Sequence, residues 1–409
     1  MAPRILHGRH YRTGEPVLLH HQAGWITRME PGPAGPRPLP WLAPSLFDLQ
    51  VNGFAGVDFQ RDDVANTDLE AAARALAGAG CGRFLLTLIT DTWPVLLRRL
   101  ARLREARLRS ALLQQCIVGW HIEGPFLSEE PGYHGAHSPG CMLDPAPGHL
   151  AELRETVGAE RLLLTLAPER TGAIDAIRRA VSLGIRVSLG HTNAPAEVLA
   201  KAFAAGATGF THLGNACPQT LDRHDNILLR VIDALAGNQG QIAAGIDPSR
   251  CLVSIIPDGI HVSPPLFRLF HHLPWRCQLG YVSDAMAAAS APRGITTLGS
   301  IRLEVGSDGI VRQPGHSNFA GSALRPIDGV LRAAAMLGAP WAQAWDRFSV
   351  IPAAWMGIPH GLQPGCPADL CLLDETAVPE DSDVRPRPSL TLRTLLARGQ
   401  ELEQAVGHR

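Results

Sequence analysis

Residues 186–213 read RVSLGHTNAPAEVLAKAFAAGATGFTHL. Arg186–His191 is a short, largely apolar run of strand length. Ala196–Ala205 is rich in alanine and has helical period, so it predicts an amphipathic helix. Gly206 stands where a helix C-cap belongs. Gly209–Leu213 is a second short run. Strand, helix, strand in under thirty residues implies parallel neighbours in one sheet. A histidine stands at or next to the end of each run, His191 and His212.

The same texture extends in both directions. Further runs are Ser45–Val51, Arg83–Thr90, Ile117–Gly124, Arg161–Pro168, Cys251–Pro257 and Gln278–Asp284. Helical stretches include Leu69–Ala79, Val95–Leu112 and Ala173–Leu183, the last followed by Gly184 at a C-cap position. The helix pattern is least regular between Gly214 and Gln241. Eight alternating units predict an α/β chain folded as a closed (β/α)8 TIM-like barrel over 45–359, in preference to an open doubly wound sheet.

Outside those limits the texture changes. Residues 1–44 are short fragments broken by turns, such as Pro31-Gly32-Pro33-Ala34-Gly35-Pro36. After Pro359 a turn at Pro364-Gly365 leads into a strand at Ala368–Asp374. Residues 1–44 and 360–409 are therefore expected to join in one small β domain, a β-sandwich made by both termini.

Composition narrows the function. The 409 residues carry a formal net charge of −1, which argues against a nucleic-acid or anionic-membrane partner. No apolar run reaches the roughly 18 residues of a membrane span, and Met1–Gly8 lacks a signal-peptide core. The eight cysteines are scattered without a CxxC pair. That pattern predicts reduced thiols and a cytoplasmic protein.

The polar residues gather at strand ends. Glu123 closes the third run, His191 the fifth, His212 the sixth and Asp284 the eighth, while Asp258 and His261 follow the seventh. In a barrel these ends share one rim, where active sites are built. Two imidazoles and a carboxylate form a three-ligand catalytic zinc set with room for water. Asp284, outside that set, suits acid/base work. Each residue taken singly could equally be a cap or a satisfied core group.

Several segments together resemble the N-acetylglucosamine-6-phosphate deacetylase family of the amidohydrolase superfamily. They are Asp48-Leu49-Gln50-Val51-Asn52-Gly53, His121-Ile122-Glu123-Gly124-Pro125-Phe126, Gly135-Ala136-His137, Leu189-Gly190-His191-Thr192-Asn193 and Thr211-His212-Leu213 with Asn215-Ala216. Asp258-Gly259-Ile260-His261-Val262, Ser283-Asp284-Ala285-Met286, Phe319-Ala320-Gly321-Ser322-Ala323-Leu324 and Ala368-Asp369-Leu370 complete the set. The resemblance implies one divalent metal, zinc by default and iron as an alternative, held by Glu123, His191 and His212. It implies Asp284 as acid/base and His137 at the substrate amide. Asn215, Ala216, His261, Ala136, Gly321 and Ser322 would meet the substrate. Arg223 would bind phosphate across a homodimer interface. The implied reaction removes acetate from an amino-sugar phosphate, N-acetylglucosamine-6-phosphate first. Alternatives are N-acetylgalactosamine-6-phosphate, an unphosphorylated N-acetyl sugar or an N-acyl amino acid. Non-enzymatic sugar binding and a metal-free isomerase are readings from other classes.

Some positions depart from the family. Gln50-Val51-Asn52 replaces the His-x-His that holds a second metal in many amidohydrolases. Gln50 either braces the barrel floor or lies near substrate or metal. Asp222-Arg223-His224-Asp225-Asn226 differs from the usual Arg-Glu-Pro-Gly, so His224 or neither residue could serve phosphate. His121 is assigned to the strand face away from Glu123, with a structural role. His20-His21 and His271-His272 are expected at the surface, and Cys217 as a small buried side chain.

Overall fold

The computed structural model describes residues 2–35, 38–236, 247–306, 310–314, 319, 321–377 and 388–402. Eight strands make the central sheet: β1 (Leu46–Val51), β2 (Cys81–Ile89), β3 (Ile117–Glu123), β4 (Leu162–Leu166), β5 (Arg186–Leu189), β6 (Gly209–Phe210), β7 (Leu252–Ile255) and β8 (Gln278–Tyr281). They lie side by side in chain order, and each pairs with the next in parallel. All eight expected strands are present; seven are one to three residues shorter than the apolar runs, and the second, Cys81–Ile89, is one longer. Buried on both faces, such strands must be almost wholly apolar, which is why the sequence marks them; β1 and β2 are buried at every position.

The ring closes between β1 and β8 by other means than a regular ladder. Val51 bridges Ala285, and Asn52 N donates to Ala285 O at 2.7 Å. Lower down, the buried carboxylate of Asp48 accepts from Gln50 N at 3.1 Å and from Ser283 N at 3.2 Å. Burial pushes the Asp48 carboxyl up to about 7.

Helices Asn66–Gly78, Ala173–Ser182 and Ala196–Ala204 stand close to their expected limits. Gly184 and Gly206 both take positive φ after their helices, where glycine carries no Cβ penalty. The single helix expected over Val95–Leu112 is two, Trp93–Arg109 and Ala111–Cys116. The break falls at Ser110, whose hydroxyl accepts from Leu113 N at 3.3 Å and caps the second helix. In the irregular stretch after Gly214, a helix forms only at Ile227–Ala236; the end of that stretch, 237–241, lies outside the described residues.

The chain ends do pair. One sheet runs Gln400–Glu401, Pro388–Ala397, Leu370–Ala377, Trp41–Pro44, Arg4–His10, Pro16–Gln22 and Trp25–Pro31 in spatial order. Residues 36–37, 378–387 and 403–409 of this region lie outside the described residues. Arg83 on β2 and Asp369, the residue before the strand Leu370–Ala377, form a buried ion pair at 2.7 Å, with side chains only 8% and 4% exposed. A three-stranded antiparallel sheet, Ile295–Leu298, Ile301–Val305 and Val311–Arg312, follows the barrel's last strand. No expectation from sequence covered it.

Three of the four paired histidines are not at the surface: His20 is half-buried beside Glu30, and the other two are His21 and His271. His21 is buried. His271 is half-buried, with Nδ1 on Phe267 O at 2.8 Å and Nε2 on Tyr281 Oη at 2.7 Å. Cys217 is also half-buried, and burial raises its thiol above the usual range.

Candidate active site

Glu123 is the last residue of β3, while His191 and His212 lie two residues past the ends of β5 and β6. Asp284 lies three past β8. The latter three adopt positive φ, at 51°, 35° and 51°. Side chains other than glycine seldom occupy this region, and each instance costs about 1–3 kcal/mol. The backbone turns sharply there and throws each side chain over the barrel mouth. Gly124, at φ +88°, allows the chain to leave β3, since a Cβ would lie 2.1 Å from Thr90 Oγ1.

The expected groups converge. His212 Nε2 is 2.8 Å and His191 Nε2 3.3 Å from Glu123 Oε1. One donor atom from each of the three residues lies within 4.8 Å of the other two, and all three are buried. His191 Nδ1 is 2.9 Å from Tyr133 O. A carbonyl only accepts, so Nδ1 carries the hydrogen and Nε2 presents a lone pair inward. The N, N, O donor set therefore fits a divalent cation. Burial alone would raise Glu123, but the imidazoles of His137, His191 and His212 packed around it hold it well below the carboxylate range. The same contact with Glu123 outweighs desolvation and raises His212.

Gln50 is fully buried beneath the cleft and reaches the site from there. Its Nε2 lies 2.9 Å from Glu123 Oε1 and 3.0 Å from Asp284 Oδ1, linking the ligand carboxylate to the acid/base candidate. Asn52 Nδ2 donates to the same Asp284 oxygen at 2.7 Å. Burial, then the charge of Glu123, raises Asp284 to about 6. His137 meets Thr90 through Nδ1, at 2.8 Å from Oγ1 and 3.3 Å from the backbone N. An amide N–H only donates, so Nδ1 accepts and Nε2 carries the hydrogen, 3.5 Å from Glu123 Oε2. Burial, with His191 nearby, lowers His137 to about 4, so the ring is neutral.

The face assignment of His121 is corrected. Alternate residues of a strand share a face, and His121 lies beneath Glu123 inside the barrel. Its Nδ1 meets Leu49 O at 3.1 Å and must donate. Its Nε2 then accepts from Thr165 Oγ1 at 2.8 Å, and burial lowers the ring to about 4. Thr165 in turn accepts from Thr211 at 2.8 Å, and Thr211 from Ser188 at 2.7 Å. This chain of hydroxyls has one direction and ties β3, β4, β5 and the residue before His212 together.

A partly enclosed cleft opens above these groups. Ten expected residues line it: Glu123, Ala136, His137, His191, His212, Asn215, Ala216, His261, Asp284 and Gly321. Ser322 lines an adjoining hollow, and its backbone N donates to Asp284 O at 3.2 Å. Arg223 is exposed on a loop, does not line the cleft, and donates from Nε to His224 Nε2 at 2.9 Å. Asn52, Ile89, Gly135, Leu298 and Phe319 also line the cleft and had no assigned role. Asn52 was signalled, being two residues from Gln50 on one strand face. Leu298 and Phe319 come from the mouth sheet and its sequel, which no periodicity announced.

No family model matches the chain. N-acetylglucosamine-6-phosphate deacetylase of Vibrio furnissii is 31% identical over 88% of this chain and 86% of its own length. N-acetylgalactosamine-6-phosphate deacetylase of Escherichia coli O157:H7 is 30% identical over 90% of this chain and 95% of its own. Among solved structures, a mutant N-acetyl-D-glucosamine-6-phosphate deacetylase from Mycobacterium smegmatis, in complex with N-acetyl-D-glucosamine-6-phosphate, superposes with a TM-score of 0.80 at 28% identity, covering 98% of this chain and 100% of that one. With this likeness spanning barrel and terminal sheet alike, the chain belongs to the N-acetylglucosamine-6-phosphate deacetylase family of amidohydrolases.

Proposed function

We propose that the chain hydrolyses the acetamide of an N-acetylhexosamine 6-phosphate, N-acetylglucosamine-6-phosphate before its galacto epimer, releasing acetate and the free amine. The observation that carries this reading is the convergence of Glu123, His191 and His212 with Asp284 in one cleft. A divalent ion on the three donors, zinc or iron, would polarise the acetyl carbonyl and acidify water. Asp284 takes the proton as water oxygen attacks the carbonyl carbon, then delivers it to nitrogen as the C–N bond breaks. Gln50 and Asn52 both donate to Asp284 Oδ1 and hold the carboxylate in place, leaving Oδ2 to receive the proton. His137 Nε2–H donates to the carbonyl oxygen as negative charge develops there. Asn215, Ala216, His261, Ala136, Gly321 and Ser322 seat the sugar.

The protein acts in the cytoplasm as a homodimer. Arg223, exposed and outside the lining of its own cleft, serves phosphate in the neighbouring subunit; a guanidinium suits that anion because it offers paired donors. The galacto epimer is retained as second substrate because a relative of that name aligns along 95% of its length.

The test is steady-state deacetylation of both 6-phosphates and of unphosphorylated N-acetylglucosamine by metal-loaded protein. The 6-phosphates should exceed the free sugar at least a hundredfold in kcat/KM. Equal rates with and without phosphate would defeat the sugar-phosphate assignment, and full activity after chelator treatment would defeat the hydrolytic one.

A further inference from the structure

Asp258 and His261 follow β7 and stand outside the proposed ligand set. Asp258 is buried, and its two carboxylate oxygens have separate partners. Oδ1 accepts from the backbone N of Ile260 at 2.8 Å and of His261 at 2.9 Å. Oδ2 lies 2.6 Å from His261 Nδ1. Burial pushes the carboxyl upward, but these bonds prevail and hold it below its ordinary range, so it is ionised. An ionised carboxylate only accepts, and Nδ1 therefore carries the hydrogen. Arg332 Nη1 donates to Asp258 O at 3.2 Å, anchoring the backbone of the same residue.

The other ring nitrogen has no such partner. The His261 side chain is only 4% exposed, and its Nε2 is buried without a hydrogen-bond partner among the described residues. The ring nevertheless lines the cleft that contains Asp284. Phe319 meets it edge-on, with centroids 5.3 Å apart, and limits its rotation. A buried polar atom is normally paired, so this one awaits a group that enters the cleft.

We infer that Asp258 is a positioning residue: it fixes His261 with Nε2 bare toward the cleft, to accept a hydrogen bond from a hydroxyl or N–H of the substrate. The inference rests on the reading that this cleft takes an N-acylated amino sugar. It adds a specificity rule, since a substrate without a donor at that point would leave Nε2 unpaired.

The geometry dictates what Asp258→Asn does. Two backbone N–H groups require an acceptor at the Oδ1 position, so the amide oxygen stays there. The amide NH2 then faces His261 Nδ1 and donates to it. The ring is forced into the opposite tautomer, and Nε2–H meets the substrate's own hydrogen. Histidine-specific 15N NMR of zinc-loaded protein, with the His261 signal assigned by its loss in His261→Gln, reads this directly. In the unmodified protein Nδ1 should be protonated; in Asp258→Asn it should be bare and Nε2 protonated. kcat/KM for N-acetylglucosamine-6-phosphate should fall at least tenfold, mainly through KM, with metal content unchanged. A bare Nδ1 in the unmodified protein overturns the inference without recourse to any variant. So does a reversed tautomer with kcat/KM within twofold. If none of the sugars is turned over, the proposed reaction fails, yet the NMR result still decides the tautomer separately.

Discussion

Three side chains at the barrel mouth occupy backbone conformations that only glycine adopts freely: His191, His212 and Asp284. Ala216, which also lines the cleft, shares the trait. Strain of this kind persists where the surroundings over-determine it. Here the strands end abruptly, and each next side chain is turned over the axis. At this scale the roles separate by substitution. Asp284→Asn keeps the shape and the bond from Asn52 but removes the proton acceptor. Its kcat should drop by about 10²–10⁴-fold, with metal content by mass spectrometry unchanged. His191→Ala should instead lower metal content, because one of the three converging donors is gone. Metal loss in the first variant, or full metal in the second, would reverse those assignments.

Elements explain what could and could not be read from the chain. The eight barrel strands were legible because burial on both faces leaves nearly uninterrupted apolar runs. Their polar terminal residues were legible because a barrel allows chemistry only at one rim. The Ser110 break escaped because serine sits unremarked inside a helical pattern until its hydroxyl is seen to cap. Ser110→Ala should destabilise by about 1 kcal/mol, measurable by denaturant unfolding. The hydroxyl series Thr165, Thr211 and Ser188 escaped too, since threonine and serine in a strand do not reveal their partners. The mouth sheet over 295–312 is too short and too interrupted by glycine to signal itself. Arg223 was expected near phosphate; its placement on an exposed loop could not follow from spacing alone.

His271 supplies a pH test on the same scale, since it joins the helix Pro264–His272 to β8 through Tyr281. Burial lowers it from an ordinary 6.5 to about 4. The folded state therefore keeps the ring neutral where the unfolded state takes up a proton. Its contribution to stability is intact above pH 6.5 and is lost as pH falls from 6.5 toward 4. His271→Gln should flatten the loss of melting temperature over that interval. An unchanged slope would show that the ring is not held neutral.

Across the molecule, the terminal sheet and the barrel share the Arg83–Asp369 pair. Asp369 Oδ1 also accepts from Arg398 N at 2.7 Å, so one carboxylate serves both layers. Desolvation lowers Arg83 below its usual range, opposed by the charge of Asp369. Removing one member of a buried pair leaves the other uncompensated, at roughly 3–5 kcal/mol. Asp369→Ala should therefore lower the unfolding midpoint strongly. Replacing Arg83 and Asp369 together by apolar residues of similar size should recover much of the loss. A double variant as unstable as the single one would place the cost in packing instead.

The join between the first and last barrel strands gives the molecule a line of least resistance. Staves elsewhere are laced by regular ladders, but this one is fastened by the Asp48 carboxylate and by irregular backbone bonds gathered around Ala285. Gln50 and Asn52 sit on one bank and Asp284 on the other, whereas Glu123, His191 and His212 all belong to the well-laced arc. Warming should thus part the proton-handling group from its supports while the cation cradle stays whole, and catalysis should fade at temperatures where bound metal is still retained.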